Sequence, residues 1–225
     1  MRIVIDFQGA QAENRNRGIG RYARSLALGI VRNCGQHDVH LVLNGNFGKS
    51  VDCIRSEFKD LPHENFHLWY PTGTARHIET ENSWQRISAE LLREAVISNL
   101  RPDIILLTSL FEGLVDDAVT SVGRFRDNIP TAVVLYDLIP YVYPDIYLER
   151  PAVRLWYEEK IEYLKKVDLQ LAISESTRVE SINHLGTDPS SVINISAAID
   201  PLFRPVPVSQ GEEFDLRSRY DIEKP

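Results

Sequence analysis

The sequence predicts an α/β, Rossmann-like fold in which helices cover both faces of a largely parallel sheet. Arg2–Phe7, Pro102–Thr108 and Thr131–Tyr136 are short runs rich in Ile, Val and Leu, as strands buried on both faces require. Segments with helical spacing separate these strands along the chain, and that alternation is typical of a parallel sheet.

The first part of the chain is predicted to contain a strand, a loop and a helix, followed by a second strand. Arg2–Phe7 leads into a polar loop, Gln8–Arg17, and then into a helix that ends near Asn33. A second strand, His37–Leu43, stops at Asn44–Asn46, because these residues favour turns. Four apolar side chains on the helix predict its core-facing stripe: Tyr22, Leu26, Ile30 and Val31.

The middle of the chain continues the alternation with a helix at about Ser50–Phe58 and a strand at Phe66–Tyr70. Between the strands Pro102–Thr108 and Thr131–Tyr136, the segment Phe111–Phe125 is predicted to hold a helix, with Asp116 and Asp117 on a solvated turn. The longer helix Asn82–Asn99 carries large apolar residues at mixed three- and four-residue intervals, which predict a buried stripe: Trp84, Ile87, Leu91, Val96 and Leu100.

The last part begins with an aromatic, proline-rich loop, Tyr141–Tyr147, after the strand Thr131–Tyr136. The helix Pro151–Lys166 has proline in its first turn, where that residue is favoured. Two further strands are predicted at Leu169–Ile173 and Ser191–Ala197. Between them lies a predicted helix, Glu175–Leu185, which Ser174 is expected to cap.

The tail predicts a domain boundary. Ile199–Gly211 is rich in proline and polar residues, as linkers are, and Phe214–Tyr220 begins a new amphipathic helix. We therefore expect residues 1–200 to form one domain, and residues 201–225 to be a linker and the start of a second domain, although an ordinary C-terminal tail is the alternative.

Composition restricts the classes of function. A formal net charge of −7 argues against a general nucleic-acid binder but leaves room for a nucleotide in a local basic pocket. Cys34 and Cys53 are too few for a disulfide scaffold and lack the spacing of a metal site. No apolar segment is long enough for a signal peptide or a membrane span, so the sequence predicts a cytosolic protein with reduced thiols.

The segment from Asn16 to Ala23, which contains Gly18 and Gly20, is the leading candidate for a ligand site. Ligands of parallel sheets bind beyond the carboxyl ends of the strands, and a helix that follows a glycine-containing loop offers free N–H groups to phosphate. The glycines are expected to give the loop unusual backbone angles and to admit a ligand closely. Arg17 and Arg21 add positive charge there, so we interpret the segment as a diphosphate site. A loop that merely turns the chain is the alternative.

A dinucleotide site fits this segment less well. The G-x-G-x-x-[G/A] fingerprint follows its strand directly, whereas ten residues, Gln8–Arg17, intervene here. The fingerprint also needs an acidic residue after the second strand, and that strand leads into Asn44. A nicotinamide-dependent oxidoreductase is therefore disfavoured.

Several segments together resemble a known family. These are Arg2–Ala10, Arg17–Tyr22, Val134–Pro140, Ala172–Arg178 and Ile199–Pro205. In this order they resemble the N-terminal domain of GT-B glycosyltransferases of family 4, and among these the bacterial mannosyltransferases that build O-antigen and related polysaccharides. The resemblance covers essentially the whole chain.

The resemblance implies a fold of two Rossmann-like domains that face each other across a cleft. It implies retaining transfer of a sugar, mannose from GDP-mannose, to a growing polysaccharide or lipid-linked glycan. The N-terminal domain would hold the acceptor, and the C-terminal domain would hold the donor. The resemblance implies neither a cofactor nor a metal, and the sequence agrees in lacking an obvious D-x-D motif. It further implies a cytoplasmic enzyme, with peripheral association at the inner membrane, whose N-terminal half alone is inactive. A non-catalytic sugar-binding module or partner subunit is the alternative.

The resemblance also suggests roles for individual residues. The donor diphosphate would contact Gly18 and Gly20, with help from Arg17 or Arg21. Tyr136 and Asp137 follow a strand at the cleft and are the catalytic candidates. Many family members carry histidine at the position of Tyr136, which here either donates a hydrogen bond or packs. Asp137 either binds a sugar hydroxyl or caps its turn.

The acceptor candidates are aromatic and acidic residues near other strand ends. Glu112 and Glu175 are the carboxylates, and Tyr141 and Tyr143 would supply a stacking surface. Each has a structural alternative: a solvated loop for Glu112, a helix start for Glu175, and core or loop packing for the tyrosines.

Overall fold

A seven-stranded, entirely parallel sheet forms the centre of the protein. The computed structural model describes residues 1–125, 128–199, 203 and 210–221. The strands are β1 Arg2–Asp6, β2 Asp38–Asn44, β3 Phe66–Trp69, β4 Ile104–Leu107, β5 Thr131–Leu135, β6 Leu169–Ala172 and β7 Val192–Asn194. Their order is β3-β2-β1-β4-β5-β6-β7, and every neighbouring pair is parallel. The predicted α/β class and parallel sheet are confirmed.

The topology places the candidate site beside the central strand. The chain first winds from β1 outward to β3 and then returns to β4 on the other side of β1. A crevice opens at such a reversal, beyond the carboxyl ends of the strands. The loops after β1 and β4 border this crevice.

Helices cover both faces of the sheet. They are α1 Gly18–Arg32, α2 Gly48–Glu57, α3 Ser83–Asn99, α4 Ile139–Val142, α5 Pro144–Tyr147, α6 Pro151–Leu164, α7 Glu175–Leu185 and α8 Gln210–Tyr220. One apolar core contains residues of α1 and α2, and a second contains residues of α3 and α6. The predicted helices and strands are present with small shifts at their ends, except in the segments described next.

The buried stripe of α1 differs in part from the predicted one. Its buried side chains are Ala23, Ala27 and Val31, whereas Tyr22, Leu26 and Ile30 only border the same core. Small residues face the sheet because the helix packs closely against it.

The predicted buried stripe of α3 is correct only in part, because Val96 and Leu100 pack against the core but the other three residues do not. Trp84 is 64% exposed, and Ile87 and Leu91 are each 39% exposed. The helix instead buries Ala89, Ile97 and three charged residues: Glu90, Arg93 and Glu94.

Partners from distant segments explain this arrangement. Arg93 donates to the Asp6 carboxylate and, at 3.1 Å, to the carbonyl of Ser121. Glu94 accepts from the backbone N–H groups of Arg124 at 2.7 Å and Phe125 at 2.6 Å. Charged groups can be buried when they are paired and hydrogen-bonded in this way.

The helix predicted within Phe111–Phe125 is absent, and this described segment consists of bends and irregular backbone. Gly113 has a φ of +83° and so lies outside helical geometry. Asp116 and Asp117 are half-buried rather than solvated, because they accept the backbone N–H groups of Glu13 at 2.7 Å and Ala75 at 2.9 Å respectively.

Two predicted loops contain more structure than expected. Gln8–Arg17 includes two short 3-10 turns, Gln8–Ala10 and Glu13–Asn16. Tyr141–Tyr147 overlaps the single-turn helices α4 and α5, each of which has proline in its first turn.

The proposed linker lies mostly outside the described residues, and α8 begins at Gln210, earlier than predicted. Within the described ranges, no helix is both long enough and apolar enough to cross a membrane.

Candidate functional site at the carboxyl edge of the sheet

The loop between β1 and α1 is held rigidly by two buried glutamines. The side chain of Gln8 donates to the Val119 carbonyl and accepts from the Val119 N–H at 2.9 Å. The side chain of Gln11 donates to Ser50 Oγ at 3.0 Å and accepts from the Asn44 N–H at 2.8 Å. The loop is therefore anchored to its neighbours before any ligand arrives.

Three amides at the start of α1 have no acceptor among the described hydrogen bonds. Arg17 precedes the helix in an extended conformation, and no side chain caps its first turn. The first helical bond runs from the Arg21 N–H to the Arg17 carbonyl at 3.0 Å. Among the described hydrogen bonds, the amides of Gly18, Ile19 and Gly20 have no acceptor. A helix of 15 residues adds its positive dipole end at this point.

The two glycines have different roles. Neither has a positive φ, so the expected unusual backbone angles are wrong for both. A Cβ at Gly20 would lie 2.4 Å from Arg15 Cα, which means that Gly20 is needed for the loop to pack on the helix. A Cβ at Gly18 would meet no atom within 4 Å, so there is open space beside the exposed Gly18 at the start of α1.

Glu112 lies in a small cavity beside the same loop. The cavity has a volume of about 180 Å³ and is lined by both charged and aromatic residues, among them Arg17, Glu112, Asp116 and Trp156. Glu112 is 3% exposed and accepts hydrogen bonds from Ser109 Oγ at 2.8 Å and Asn14 Nδ2 at 3.2 Å. The solvated loop considered for Glu112 is therefore wrong.

Burial raises the pKa of Glu112 to about 7, and the charge of nearby Asp116 acts in the same direction. The bonds from Ser109 and Asn14 favour the charged form and oppose this shift. Glu112 can therefore both accept and donate hydrogen bonds near neutral pH.

This shift predicts a pH dependence of stability. The folded protein holds the Glu112 proton up to a pKa of about 7, against a reference value of 4.5. We expect the free energy of unfolding to fall by about 3 kcal/mol as the pH rises from 4.5 to 7, because the folded state then binds the proton more tightly. Glu112→Gln should remove this slope in denaturant titrations at several pH values. Glu13 is an exposed carboxylate of the same cavity, so Glu13→Gln should retain the pH dependence. An unchanged slope in Glu112→Gln would contradict the assignment of the proton to Glu112.

The Tyr136 hydroxyl is used within the domain. It lies 3.2 Å from the carbonyl of Ile19 and 3.0 Å from the carbonyl of Thr108, and burial raises the pKa of Tyr136. Because a phenol has only one proton to donate, the hydroxyl donates to one of these two carbonyls at a time. Its ring packs edge-on against Tyr22 at a centroid distance of 5.6 Å. Tyr136 therefore joins the start of α1 to the end of β4, which favours a positioning role.

Asp137 is exposed, and its Oδ1 accepts the Ile139 N–H at 3.0 Å. This bond is the turn-capping geometry considered as an alternative for this residue. No described bond uses its other oxygen.

The remaining acceptor candidates do not join this group by any described contact. Glu175 forms an ion pair with Arg178 at 2.7 Å, and α7 is capped by Ser174, which accepts the Thr177 N–H at 3.1 Å. Tyr141 packs against the core of α3 and α6, whereas Tyr143 is 55% exposed. The structure thus brings together the Gly18–Gly20 amides, Glu112 and Tyr136.

Sequence reasoning missed Asn14 and Trp156. Asn14 holds Glu112, and Trp156 Nε1 donates to the Glu112 carbonyl at 3.2 Å. Asn14 lies in the loop between β1 and α1, but nothing in its neighbouring sequence indicates the contact with Glu112, and Trp156 lies within α6 and follows no strand. Within the part of the chain that the structure describes, no group of three or more His, Cys, Asp or Glu residues is arranged to hold a metal ion.

The sheet and this site define an α/β domain of Rossmann-like type that presents helix amides and a buried carboxyl at its carboxyl edge. No family model matches the chain. The chain is 30% identical over 226 residues to the serotype-specific mannosyltransferase WbdA of Escherichia coli, covering 99% of this chain and 27% of that protein. A second WbdA from Escherichia coli is 28% identical and covers 88% of this chain and 24% of that protein. The chain thus spans about a quarter of the length of these relatives.

These relatives confirm the resemblance to bacterial mannosyltransferases. Solved structures include a glycosyltransferase from Rickettsia africae, with 12% identity, a TM-score of 0.43 and coverage of 99% of this chain and 50% of that one. Arabidopsis thaliana UGT89C1 complexed with UDP has 13% identity, a TM-score of 0.46 and coverage of 99% and 55%. Both scores lie below 0.5, and the α/β architecture rests on the sheet itself.

Proposed function

We propose that this chain is the acceptor-binding, N-terminal half of a GT-B glycosyltransferase. The complete enzyme transfers mannose from GDP-mannose, with retention, to a growing polysaccharide or lipid-linked glycan. The observation that carries the proposal is the set of unpartnered amides at Gly18–Gly20 beside the buried carboxyl of Glu112, in a chain related along its whole length to a mannosyltransferase. The C-terminal domain would hold the nucleotide-sugar, and the enzyme would act in the cytoplasm, with peripheral association at the inner membrane.

The reaction needs groups that stabilise a departing diphosphate. The bond between the anomeric carbon and the diphosphate oxygen breaks and a bond to the acceptor oxygen forms. Negative charge develops on the departing diphosphate, which takes up the proton of the acceptor hydroxyl. Amides already aimed at that charge lower the barrier because they need no reorganisation. Arg17 and Arg21 are exposed near the same helix end and would supplement the amides.

The Glu112 cavity would receive the acceptor. Carboxyl groups bind sugar hydroxyls, and Trp156 and Phe111 offer aromatic surface in the same cavity. Holding the acceptor hydroxyl next to the anomeric carbon accounts for much of the rate in such transfers. Tyr136 would act by fixing the start of α1 relative to β4.

A panel of nucleotide-sugars tests the proposal. The complete protein, extended through its second domain, is incubated with each nucleotide-sugar and a glycan acceptor, and the product is analysed by mass spectrometry and NMR. We expect transfer of mannose from GDP-mannose with the α configuration retained, and no transfer by residues 1–225 alone. Turnover with no member of the panel would favour a non-catalytic sugar-binding module.

Asp137→Asn separates the two roles considered for Asp137. Asparagine can still accept the Ile139 N–H, so the turn should persist, whereas the charge is lost. We expect a loss of about tenfold in kcat/KM for the acceptor, on the scale of one hydrogen bond to a charged group, with an unchanged unfolding midpoint. Kinetics equal to wild type would leave Asp137 with the turn alone.

A further inference from the structure

A second cavity with a different charge lies on the other side of the β1–α1 loop. This basic cavity has a volume of about 590 Å³ and is lined by residues of the β1–α1 loop, α1, the β2–α2 connection and α2. Three of its lining residues are cations, namely Arg15, Arg24 and Lys49, and none is an aspartate or glutamate. Such a cluster stands out in a chain whose formal net charge is −7.

The three cations have little internal neutralisation. Among the described ion pairs, Arg15 and Lys49 have none, and both residues are exposed. The closest carboxylate oxygen to Arg24 Nε belongs to Glu57, at 4.0 Å. That same Nε is buried and has no hydrogen-bond partner. These donors are therefore free to bind an anion.

The surrounding backbone adds further donors. The helix α2 begins at Gly48, and no side chain caps its first turn. Gln11 is fully buried under the cavity and is fixed by Ser50 and Asn44. The cavity therefore has an ordered polar floor, and its amides and cations meet the same volume.

We propose that this basic cavity binds a diphosphate, either free or as an ester, at a site separate from the Gly18–Gly20 amides. Neither Gly18 nor Gly20 lines the cavity. Charge-assisted bonds from arginine and lysine to phosphate are short and strong. The cavity volume of about 590 Å³ lies within the range of small-molecule sites and is large enough for a diphosphate. The inference goes beyond the proposed function, because it requires neither transfer nor a second domain.

Calorimetric titration of the 225-residue chain with inorganic pyrophosphate tests the proposal. We expect saturable binding that Arg15→Gln/Lys49→Gln weakens at least tenfold. Arg15→Lys/Lys49→Arg should restore it, because the charges return. The matched control is Arg32→Gln/Lys59→Gln, which removes two exposed cations outside the cavity and should leave the affinity unchanged. Unfolding midpoints of all variants verify that they are folded.

Two further measurements separate the possible origins of the signal. The cavity assignment requires a larger loss of pyrophosphate affinity in Arg15→Gln/Lys49→Gln than in Gly18→Val, and an equal or larger loss in Gly18→Val would place the anion at the α1 amides and overturn the proposal. Titration with GDP identifies the form of the ligand. If GDP binds with an affinity comparable to that of pyrophosphate, the site accepts an esterified diphosphate; if only pyrophosphate binds, the site is specific for the free diphosphate. Absence of saturable pyrophosphate binding, or equal losses in the cavity variant and its control, would also overturn it.

Discussion

Gly18→Val in the complete enzyme should lower transfer by about 100-fold while the protein remains folded. The valine side chain would project into the space in front of the α1 amides and keep the diphosphate away from them. Loss of one such donor typically costs a factor of 10² to 10³ in rate. Because a Cβ at Gly18 meets no atom within 4 Å and its φ is not positive, the substitution places no strain on this domain.

The same helix supplies the matched control. Gly29 is also exposed, and a Cβ there meets nothing within 4 Å, so Gly29→Val should keep wild-type kinetics. Initial rates with GDP-mannose and far-UV circular dichroism are measured for both variants. Equal activity of Gly18→Val and Gly29→Val would remove the diphosphate assignment.

Arg93→Met should cost about 3–5 kcal/mol of unfolding free energy. Arg93 is 1% exposed and donates to Asp6, which is 2% exposed. Removal of the guanidinium leaves a buried carboxylate without its charged partner. Loss of one partner destabilises the fold more than loss of both, because an uncompensated charge stays buried. For a domain of this size the loss corresponds to a fall of about 10 °C in Tm.

A double variant shows whether the unpaired charge is the cause. Asp6→Asn/Arg93→Met removes both charges, while asparagine can still accept the Gln8 N–H that Asp6 accepts at 3.0 Å. We expect it to be less destabilised than the sum of the two single variants. Lys165→Met, which removes one partner of an exposed ion pair at 2.8 Å from Glu162, should leave Tm unchanged. A similar small effect for Arg93→Met would contradict the account.

The sheet could be predicted because its strands are short apolar runs separated by helical patterns, a signal contained within each segment. The errors arose where partners come from distant segments. On α3 the apolar pattern pointed to Trp84, whereas Arg93 is buried because Asp6 and Ser121 receive its hydrogen bonds. The segment Phe111–Phe125 connects two parallel strands, where a helix is usual, but the backbone of Gly113 and a long-range bond to Asp116 hold it in an irregular conformation.

The candidate site was predictable only in part. Glu112 lies in the segment after β4, where ligands of parallel sheets bind, and Gly18 was indicated by a glycine-containing loop at the start of a helix. Gly20 is required for packing and Gly18 is not, because only Gly20 lies against the backbone of Arg15. No local sequence pattern indicates this contact. Likewise, the two carbonyls that engage the Tyr136 hydroxyl belong to residues far away in sequence.

The binding of a diphosphate by the α1 amides can be observed in a crystal structure of the complete protein with GDP-mannose. We expect diphosphate oxygens at about 3 Å from the amide nitrogens at Gly18–Gly20, the distance of an N–H···O hydrogen bond. A bound nucleotide whose diphosphate contacts other groups, with those amides facing solvent, would contradict it.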